Sequence, residues 1–373
     1  AGDPARAVPP FAGDEPGPER GLWWIALNAN KRGVTLDLDR PEALAPLRAL
    51  VERADVVVDS FPPGWARERG LGEDGFLAWN DQVVHTTITP YGLDGPLADA
   101  PASDLEVTAA SGALWLAGEP GKPPVRTSLP QSPFWAGMYG AMGTLMAFLA
   151  RPLVGRGQRV DTSAQASMAT VHPPASVFWD VRREEHRRLG PFLLGRSIVG
   201  ARFRNVWECA DGYVSFAIQG GAIGRHTGRM LVAWMEERGG APELLRAIDW
   251  DRFDNTTLRQ DEVERLEEAI APFLRGLTKR EFFEGVLARN MLGYPVATAA
   301  EVYADAQLAS REFWQPLAIP GAGEVRFPGG FALFDGERPR IRRSAPALGE
   351  HNDEVWAGEL GLPLADLRAG GLV

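Results

Sequence analysis

The segment KRGVTLDLDRPEALAPLRALVERADVVVDSF, residues 31–61, decides the fold. Val34–Leu38 alternates apolar and polar side chains, the pattern of a strand with one buried face. Pro41 opens a stretch in which apolar residues recur at helical spacing. Ala54–Val58 is a β-branched run typical of a buried parallel strand. The segment therefore predicts a strand, a helix and a second strand, which is the repeating unit of a parallel α/β sheet.

The residues that follow continue this layered pattern. We predict a helix over Gly70–Trp79 and another strand over Val83–Ile88. That strand stops at the glycine-rich loop PYGLDGP, residues 90–96. Open α/β sheets bind ligands at the loops that follow the carboxyl ends of their parallel strands. The first half of the chain is therefore predicted to be a Rossmann-like domain with its ligand site at this edge.

The pattern changes near Val206. The stretch NVWECADGYVSFAI, residues 205–218, predicts two strands around a turn at Asp211-Gly212. Helical spacing follows over Asp261–Leu274 and Lys279–Ala288. These elements predict a small α+β domain.

The stretch GAGEVRFPGGFALF, residues 321–334, reads as hairpin-like strands that return to the larger domain. The fold class is thus α/β, with a Rossmann-like large domain and a smaller α+β domain. The predicted ranges are 1–205 for the large domain, 206–297 for the small domain and 298–373 for the C-terminal return to the large domain.

The longest apolar run, Phe134–Ala150, is short for a membrane span and is interrupted by glycines at 137, 140 and 143. It predicts a buried helix that packs closely along its small-residue face, and no membrane association.

Composition limits the partners. A formal charge of −10 over 373 residues argues against nucleic acid, which requires a basic face, so an anionic ligand needs a local basic pocket. Cys209 is the single cysteine, which excludes an intrachain disulfide and favours the reducing cytoplasm. One thiol and five scattered histidines predict no metal site.

Five segments, in order across nearly the whole chain, together resemble the class III CoA-transferase family, also called the CaiB/BaiF family. They are NANKRGVTLDLDRPE (28–42), ADVVVDSFPPG (54–64), ITPYGLDGPLADAPASDLEVTAASGALWLAGEPGKPPVR (88–126), GRGQRVDTS (155–163) and PRIRRSAPALGEHNDEV (339–355). The resemblance implies a dimer interlocked like two links, with acyl-CoA and a carboxylic acid as substrates and a CoA site near the domain interface.

The resemblance also implies a further segment of chain before the first residue of this sequence. Family members usually carry roughly 35 residues before a GDPAR-like motif, the length scale of a βαβ unit. Here GDPAR is residues 2–6. We expect the natural chain to be longer or to have lost this segment, which an intact-mass measurement would decide.

The family's nucleophile is an aspartate that attacks the thioester and later carries CoA, so it must serve as both nucleophile and leaving group. It lies in a pattern like P-x-x-D-x-x-A-G, and Pro130–Gly137 reads PQSPFWAG here. Pro133 therefore stands at the position of the nucleophile, which is lost. Proline is also favoured in the first turn of a helix, and both interpretations hold together.

Two carboxylates are candidate substitutes. Asp104 lies on a nearby segment, where the family usually has an aspartate that we expect to cap the following helix. Glu119 lies on a loop from which it can swing into a site. Related racemases use a histidine before the aspartate, whereas Ser103 precedes Asp104 here, so that pair is missing.

Other side chains near the expected site have structural interpretations. Ser132 lacks an evident histidine partner; His85 and His172 are the nearest by fold, and both are expected to be core or turn residues. Asp161 is expected to be structural. The glycine-rich loop that shields the thioester in some relatives is not visible where LLGRSIVGARF, residues 193–203, stands.

The CoA contacts implied by the resemblance also change in part. The family's FRPG is FPPG here, so Pro62 replaces an arginine that meets CoA phosphate, and Arg67 or Arg69 is expected to supply the charge. The other positions that match CoA-contacting or channel-lining positions of relatives are Lys31, Arg32, Leu36, Ser60 and Phe61.

Three functions remain open. The first is the non-nucleophilic subunit of a heteromeric CoA-transferase, paired with a paralogue that carries the aspartate. The second is a homodimeric acyl-CoA isomerase, lyase or hydrolase that uses no aspartyl intermediate. The third is a non-catalytic acyl-CoA binding protein.

Overall fold

The computed structural model describes residues 2–72, 75–171, 173–193 and 198–373, without the side chains of 173 and 174. Its helices are α1 (Leu22–Leu27), α2 (Leu44–Val51), α3 (Pro63–Glu68), α4 (Gly75–Trp79), α5 (Asp104–Ala110), α6 (Ala113–Leu116), α7 (Ser132–Val154), α8 (Ala164–Thr170), α9 (Pro173–Arg182), α10 (Gly221–Glu237), α11 (Glu243–Arg246), α12 (Gln260–Arg275), α13 (Lys279–Ala288), α14 (Ala299–Tyr303), α15 (Ala306–Ser310) and α16 (Leu364–Ala369). Its strands are β1 (Val56–Asp59), β2 (Val84–Thr89), β3 (Arg159–Ser163), β4 (Phe192–Leu193), β5 (Phe203–Arg204), β6 (Val206–Cys209), β7 (Gly212–Ser215), β8 (Tyr294–Pro295), β9 (Trp314–Ile319) and β10 (Gly323–Pro328).

The chain divides into two compact units. Unit 1 comprises Ala1–Pro101, Pro133–Ser167 and Val302–Val373, and unit 2 comprises Ala102–Ser132 and Met168–Glu301. The domain limits that the sequence predicts, after residues 205 and 297, stay predictions.

The sheet of unit 1 is parallel, in the order β1-β2-β3. Val57 lies opposite His85, and Thr87 lies opposite Asp161. The predicted strands over 54–58 and 83–88 are present, each displaced by about one residue. The mixed α/β fold predicted from the sequence is confirmed.

The predicted strand over Val34–Leu38 is wrong, because this segment pairs with no strand. The amide of Thr35 donates to Asn352 Oδ1 (2.9 Å), and the amide of Asp37 donates to the carbonyl of Leu372 (2.8 Å). The C-terminal segment therefore satisfies the backbone groups that a neighbouring strand would bind. The predicted helix after Pro41 is confirmed as a 3₁₀ turn that continues into α2.

Helix α7 packs on the parallel sheet through its glycines. A Cβ on Gly140 would lie 2.8 Å from Ile88 Cδ1, and one on Gly143 would lie 2.8 Å from Val160 Cγ1. The hydroxyls of Thr86 and Thr144 also lie 2.6 Å apart. The predicted close packing is therefore confirmed at Gly140 and Gly143, whereas a Cβ on Gly137 would have no neighbour within 4 Å.

The opposite face of α7 is exposed in the single chain, so the expectation of a buried helix holds for one face of α7 only. Met146 is 69% exposed, Leu149 74% and Leu153 90%. None of the helices in the described ranges is long and apolar enough to cross a bilayer.

The helix predicted over Gly70–Trp79 is shorter in the structure. Gly70 has a φ of 68°, the left-handed conformation that ends a helix, and it follows α3. Residues 73 and 74 lie outside the described ranges, and α4 begins at Gly75.

Unit 2 contains the predicted hairpin. Cys209 pairs with Gly212, so β6 and β7 turn at Ala210-Asp211, one residue earlier than predicted. Helices α12 and α13 confirm the predicted helical stretches. The start of α13 is fixed because the Thr278 hydroxyl accepts a hydrogen bond from the amide of Glu281. The core of this unit includes Trp207, Trp234, Leu245, Ile270 and Phe282.

The C-terminal hairpin lies earlier than the sequence suggests. Strand β9 pairs antiparallel with β10, so residues 321–334 supply only the turn and the second strand. Residues 329–334 bend away after Pro328.

Candidate functional site

The start of α7 lies where the sequence predicts a lost nucleophile. Pro133 is the second residue of the helix, where a missing backbone N–H costs nothing, and it is exposed. Asp104 Oδ1 accepts hydrogen bonds from the amides of Gln131 and Ser132 (both 2.8 Å) and from Ser132 Oγ (3.0 Å). This carboxylate therefore holds the two residues that precede Pro133.

The sequence suggested that Asp104 caps the helix that follows it. The structure shows that it does not. Ser103 is the N-cap of α5, and the Glu106 carboxylate accepts hydrogen bonds from the Ser103 amide (2.8 Å) and hydroxyl. These bonds, that of the hydroxyl first, lower the pKa of Glu106. Because Ser103 supplies the cap, Asp104 is available to residues 131–132. Its Oδ2 is buried and has no hydrogen-bond partner among the described residues.

Glu119 lies on an exposed turn. Its carboxylate pairs with Lys122 Nζ at 2.6 Å, and its backbone packs beside Gly190. The carboxylate is about half exposed. It can change direction at little cost, since exposed ion pairs contribute little stability.

A cavity of about 300 Å³ lies beside the parallel sheet, lined by the last residue of β1 (Asp59), by residues of β2 and β3, and by Leu93 and Asp94 of the loop where the sequence predicts a ligand site. Phe61 and Arg67 line it, as expected for CoA contacts. The other lining residues are Asp59, Pro63, Ala66, Leu71, Gly72, Thr87, Leu93, Asp94, Arg159 and Asp161.

A buried polar network underlies this cavity, and the sequence analysis missed it. Asp59 Oδ2 accepts from His85 Nε2 (2.6 Å) and from Thr87 Oγ1 (3.1 Å). The Asp59 and His85 side chains are only 7% and 1% exposed. Polar residues at adjoining strand ends are the signal that could have found it. The network joins β1 to β2 beneath the cavity.

The glycine-rich loop after β2 is held by the strand ends. The Gly92 amide donates to Thr89 Oγ1 (2.9 Å), and the Leu93 amide donates to Asp161 Oδ2 (3.1 Å). Gly92 has a φ of 99°, which favours glycine. These bonds fit the structural role expected for Asp161.

The two arginines expected to replace Pro62 differ in position. Arg67 lines the cavity and pairs with Asp99 at 2.5 Å. Arg69 does not line it: its guanidinium binds Asp39 (2.8 Å) and the carbonyl of Leu38 (3.2 Å).

The remaining expected CoA contacts do not line this cavity. Arg32 forms ion pairs with Glu359 and Glu354. Hydrogen bonds to these carboxylates, first that to Glu359, raise the pKa of Arg32, and the Arg32 guanidinium lowers the pKa of Glu359. Lys31 Nζ donates to Asn28 Oδ1 (2.8 Å). Leu36 packs on the cluster that contains Trp356, and Ser60 is exposed beside Phe61.

Two sequence expectations lie outside the described residues, namely His172 and residues 194–197 of the segment expected to carry a shielding loop. Within the described ranges, no three His, Cys, Asp or Glu side chains are grouped to hold a metal ion.

Residues 1–352 match the family described as CoA-transferase family III. Over 381 aligned residues, covering 98% of this chain and 87% of the relative, the chain is 32% identical to the succinyl-CoA:(R)-benzylsuccinate CoA-transferase subunit BbsE of Thauera aromatica. It is 28% identical to the beta subunit of the succinyl-CoA–L-malate CoA-transferase of Chloroflexus aurantiacus, covering 93% of this chain and 84% of the relative. A solved CaiB/BaiF family protein from Brucella suis shares the fold, with a TM-score of 0.74, 22% identity and coverage of 97% and 87% of the two chains.

Proposed function

The chain belongs to CoA-transferase family III, and we propose that it is the non-nucleophilic subunit of a heteromeric CoA-transferase that handles acyl-CoA thioesters and carboxylic acids. The observation that carries this proposal is Pro133, which stands in the first turn of α7 where the family resemblance implies an aspartate. A proline ring has neither a nucleophile nor a leaving group, so this position cannot form an acyl intermediate.

The proposed partner supplies the covalent steps. Its aspartate attacks the donor thioester, forming a mixed anhydride and releasing CoA as thiolate. The thiolate then attacks the aspartyl carbonyl, which frees the donor acid and leaves CoA on the enzyme. The acceptor carboxylate attacks this thioester and forms a second anhydride, and the thiolate completes transfer to the acceptor. This chain's part is to bind and orient.

We assign part of the CoA site to the cavity beside the parallel sheet. Phe61 supplies an apolar wall and Arg67 an exposed cation, both suited to a ligand with an apolar arm and phosphates. A volume of about 300 Å³ is at the lower end of small-molecule sites, so only part of CoA would fit there.

The exposed face of α7 supports association with a second chain. Met138, Met142, Leu145, Met146, Leu149 and Leu153 are each more than half exposed. Such a stripe marks an interaction surface more often than a solvated one. Relatives named as CoA-transferase subunits fit a heteromer, and the interlocked arrangement and cytoplasmic location are part of the same proposal.

The test is CoA transfer by the purified chain, alone and with an aspartate-bearing homologue. We expect transfer from succinyl-CoA to a carboxylic acid only when the partner is present. In the isolated chain, Pro133→Asp should create hydroxylamine-sensitive acylation, whereas the matched control Pro133→Asn should not. Transfer by the unmodified chain alone would refute the division of labour and support a homodimeric enzyme.

A further inference from the structure

We propose that unit 2 carries a binding cleft for an aromatic dicarboxylate, formed by arginines within residues 183–202 and by two exposed tryptophans. The cleft has a volume of about 1040 Å³, ample for an organic acid. The inference rests on the proposed function, because a CoA-transferase requires an acceptor acid, and it names the class of that acid.

The charge of the cleft favours anions. Arg183, Arg187, Arg188 and Arg202 face it, against only two glutamates, 184 and 185, in a chain whose formal charge is −10. The cleft is therefore a local basic pocket that can bind an anionic ligand although the chain as a whole is acidic.

Two of these guanidinium groups are available. Arg187 makes no hydrogen bond or ion pair with any described residue. Within the same ranges the Arg202 guanidinium makes none either: it lies 5.5 Å from the centre of the Phe192 ring, and its charge also acts on Glu267. A planar guanidinium binds a carboxylate through two parallel hydrogen bonds. Two available guanidinium groups therefore favour a ligand with two carboxylates.

The aromatic part of the cleft is held in place. Trp115 and Trp179 are each 48% exposed. Trp115 Nε1 donates to the carbonyl of His186 (2.8 Å), and Arg188 lies over the Trp115 ring at 4.6 Å while donating to the Trp115 carbonyl (2.9 Å). The ring therefore presents a fixed face, which lowers the entropic cost of stacking a ligand ring on it.

A second cavity of about 410 Å³ adjoins the cleft and shares Trp115, Trp179 and Glu185 with it. Small and apolar residues form much of its wall: Gly112, Leu116, Ala169 and Ala175. His186 also lines it, with a buried Nδ1 that has no hydrogen-bond partner among the described residues. An apolar compartment beside a basic one fits a ligand whose aryl group enters the first while its carboxylates bind the second.

Hydrogen bonds also fix the wall between this cleft and the turn that carries Glu119. Arg188 Nε donates to the carbonyl of Lys122 (3.2 Å), and the Gly190 amide donates to the carbonyl of Gly118 (2.9 Å). The cleft is thus bounded by two backbone segments that are hydrogen-bonded to each other.

The test is isothermal titration calorimetry of the full chain with three probes: 2-benzylsuccinate, succinate without the ring, and 3-phenylpropanoate with one carboxylate. We expect benzylsuccinate to bind at least about tenfold more tightly than either fragment. The double variant Arg187→Gln/Arg202→Gln should weaken benzylsuccinate at least about tenfold, since each guanidinium makes charge-assisted bonds.

Two further variants keep the result interpretable. Arg280→Gln, at an exposed arginine on α13, is the matched control and should leave the Kd unchanged. Arg187→Lys/Arg202→Lys retains the positive charges but cannot form the two parallel hydrogen bonds of a guanidinium, so it should give an intermediate Kd. Thermal unfolding of each variant, followed by circular dichroism, shows whether it is folded.

Several outcomes overturn the inference: no binding of benzylsuccinate at millimolar concentration, equal binding of all three probes, or binding that a folded Gln double variant leaves unchanged. None of these contradicts the proposed subunit role, which CoA transfer with the partner tests. Conversely, arginine-dependent binding without transfer in any pairing would refute the subunit role and leave the cleft in place.

Discussion

The cavity beside the sheet of unit 1 and the arginine-lined cleft of unit 2 differ in how many of their charged side chains have partners within the described residues. In the cavity, Asp59 is bound by His85 and Thr87, and Arg67 is paired with Asp99. In the cleft, the guanidinium of Arg187 has no described polar partner. Asp59 and Arg67 of the cavity are thus paired with described residues, although Arg159 Nε is buried there without a described hydrogen-bond partner, whereas in the cleft Arg187 is left for a ligand.

The comparison teaches that a cation near a motif is not thereby a ligand contact. Arg32 belongs to a segment that resembles the family and Arg69 lies just downstream of another, yet Glu354 and Glu359 occupy the first guanidinium and Asp39 the second. Arg187 and Arg202 of the cleft lie outside the five segments that carry the resemblance. Partner side chains, which come from distant parts of the chain, decide which cations remain available.

The largest expected effect comes from removing the hydrogen bonds that Asp59 accepts in unit 1. Asp59→Ala removes a carboxylate that is 7% exposed and leaves His85 and Thr87 without their partner. We expect a loss of about 3 kcal/mol in the free energy of unfolding, because these buried groups then keep only the 3.2 Å hydrogen bond between Thr87 Oγ1 and His85 Nε2. Urea unfolding measures it.

Asp99→Asn is the control for that experiment. Asp99 is 57% exposed, and its loss of charge should cost less than about 1 kcal/mol. Equal destabilisation by the two substitutions would show that the Asp59 network is no more important than a surface ion pair.

A smaller effect would sharpen the assignment of the cavity. Arg67→Gln should weaken CoA binding about fivefold, because Arg67 lines the cavity and is an exposed charge. Arg69→Gln, the neighbouring control, should change the Kd less than about twofold, since Arg69 does not line the cavity. Titration of both variants with CoA measures the difference, and equal Kd values would contradict the assignment.

The smallest effect concerns a charge pair in unit 2 away from the cleft. Lys279 Nζ binds both carboxylate oxygens of Glu301, at 2.8 and 2.7 Å. This bond, followed by hydrogen bonds from Thr298, lowers the pKa of Glu301 from 4.5 to about 2. Because the folded-state pKa is the lower one, the pair's contribution is complete above pH 4.5 and is lost as the pH falls towards 2.

The Tm of the unmodified chain should therefore exceed that of Glu301→Gln by a small, constant amount between pH 5 and 7, and the difference should vanish near pH 2. Glu284→Gln, on exposed α13, is the control and should show no such trend. A difference that grows as the pH falls would contradict the assigned pair. With the pair confirmed, Lys279 would be a cation of unit 2 that is already neutralised, unlike Arg187 of the cleft.

The sequence predicted elements best where pattern and local chemistry agree. Helix α13 begins and ends as predicted, because its capping box is local and its apolar spacing is regular. Val34–Leu38 shows the limit: it alternates like a strand, but its amides bind Asn352 and Leu372, some 300 residues away. Alternation reports which side chains are buried and says nothing of which backbone lies alongside.

The candidate site divides in the same way. The position of Pro133 at the head of a helix follows from the sequence, and so does the loop after β2. The Asp104 bond to residues 131–132 and the Asp59–His85–Thr87 network do not, since each needs two segments at hydrogen-bond distance.

The sequence by itself determined the family, the strands that became β1 and β2, and the absence of a carboxylate at residue 133, because these depend on residue identity and short-range spacing. Tertiary structure alone decided which charges are neutralised, that Asp104 binds residues 131 and 132, and that arginines 187 and 202 face one cleft with Trp115 and Trp179. The physical reason is range: propensity and periodicity act over a few residues, whereas hydrogen bonds and ion pairs depend on distances that only folding fixes.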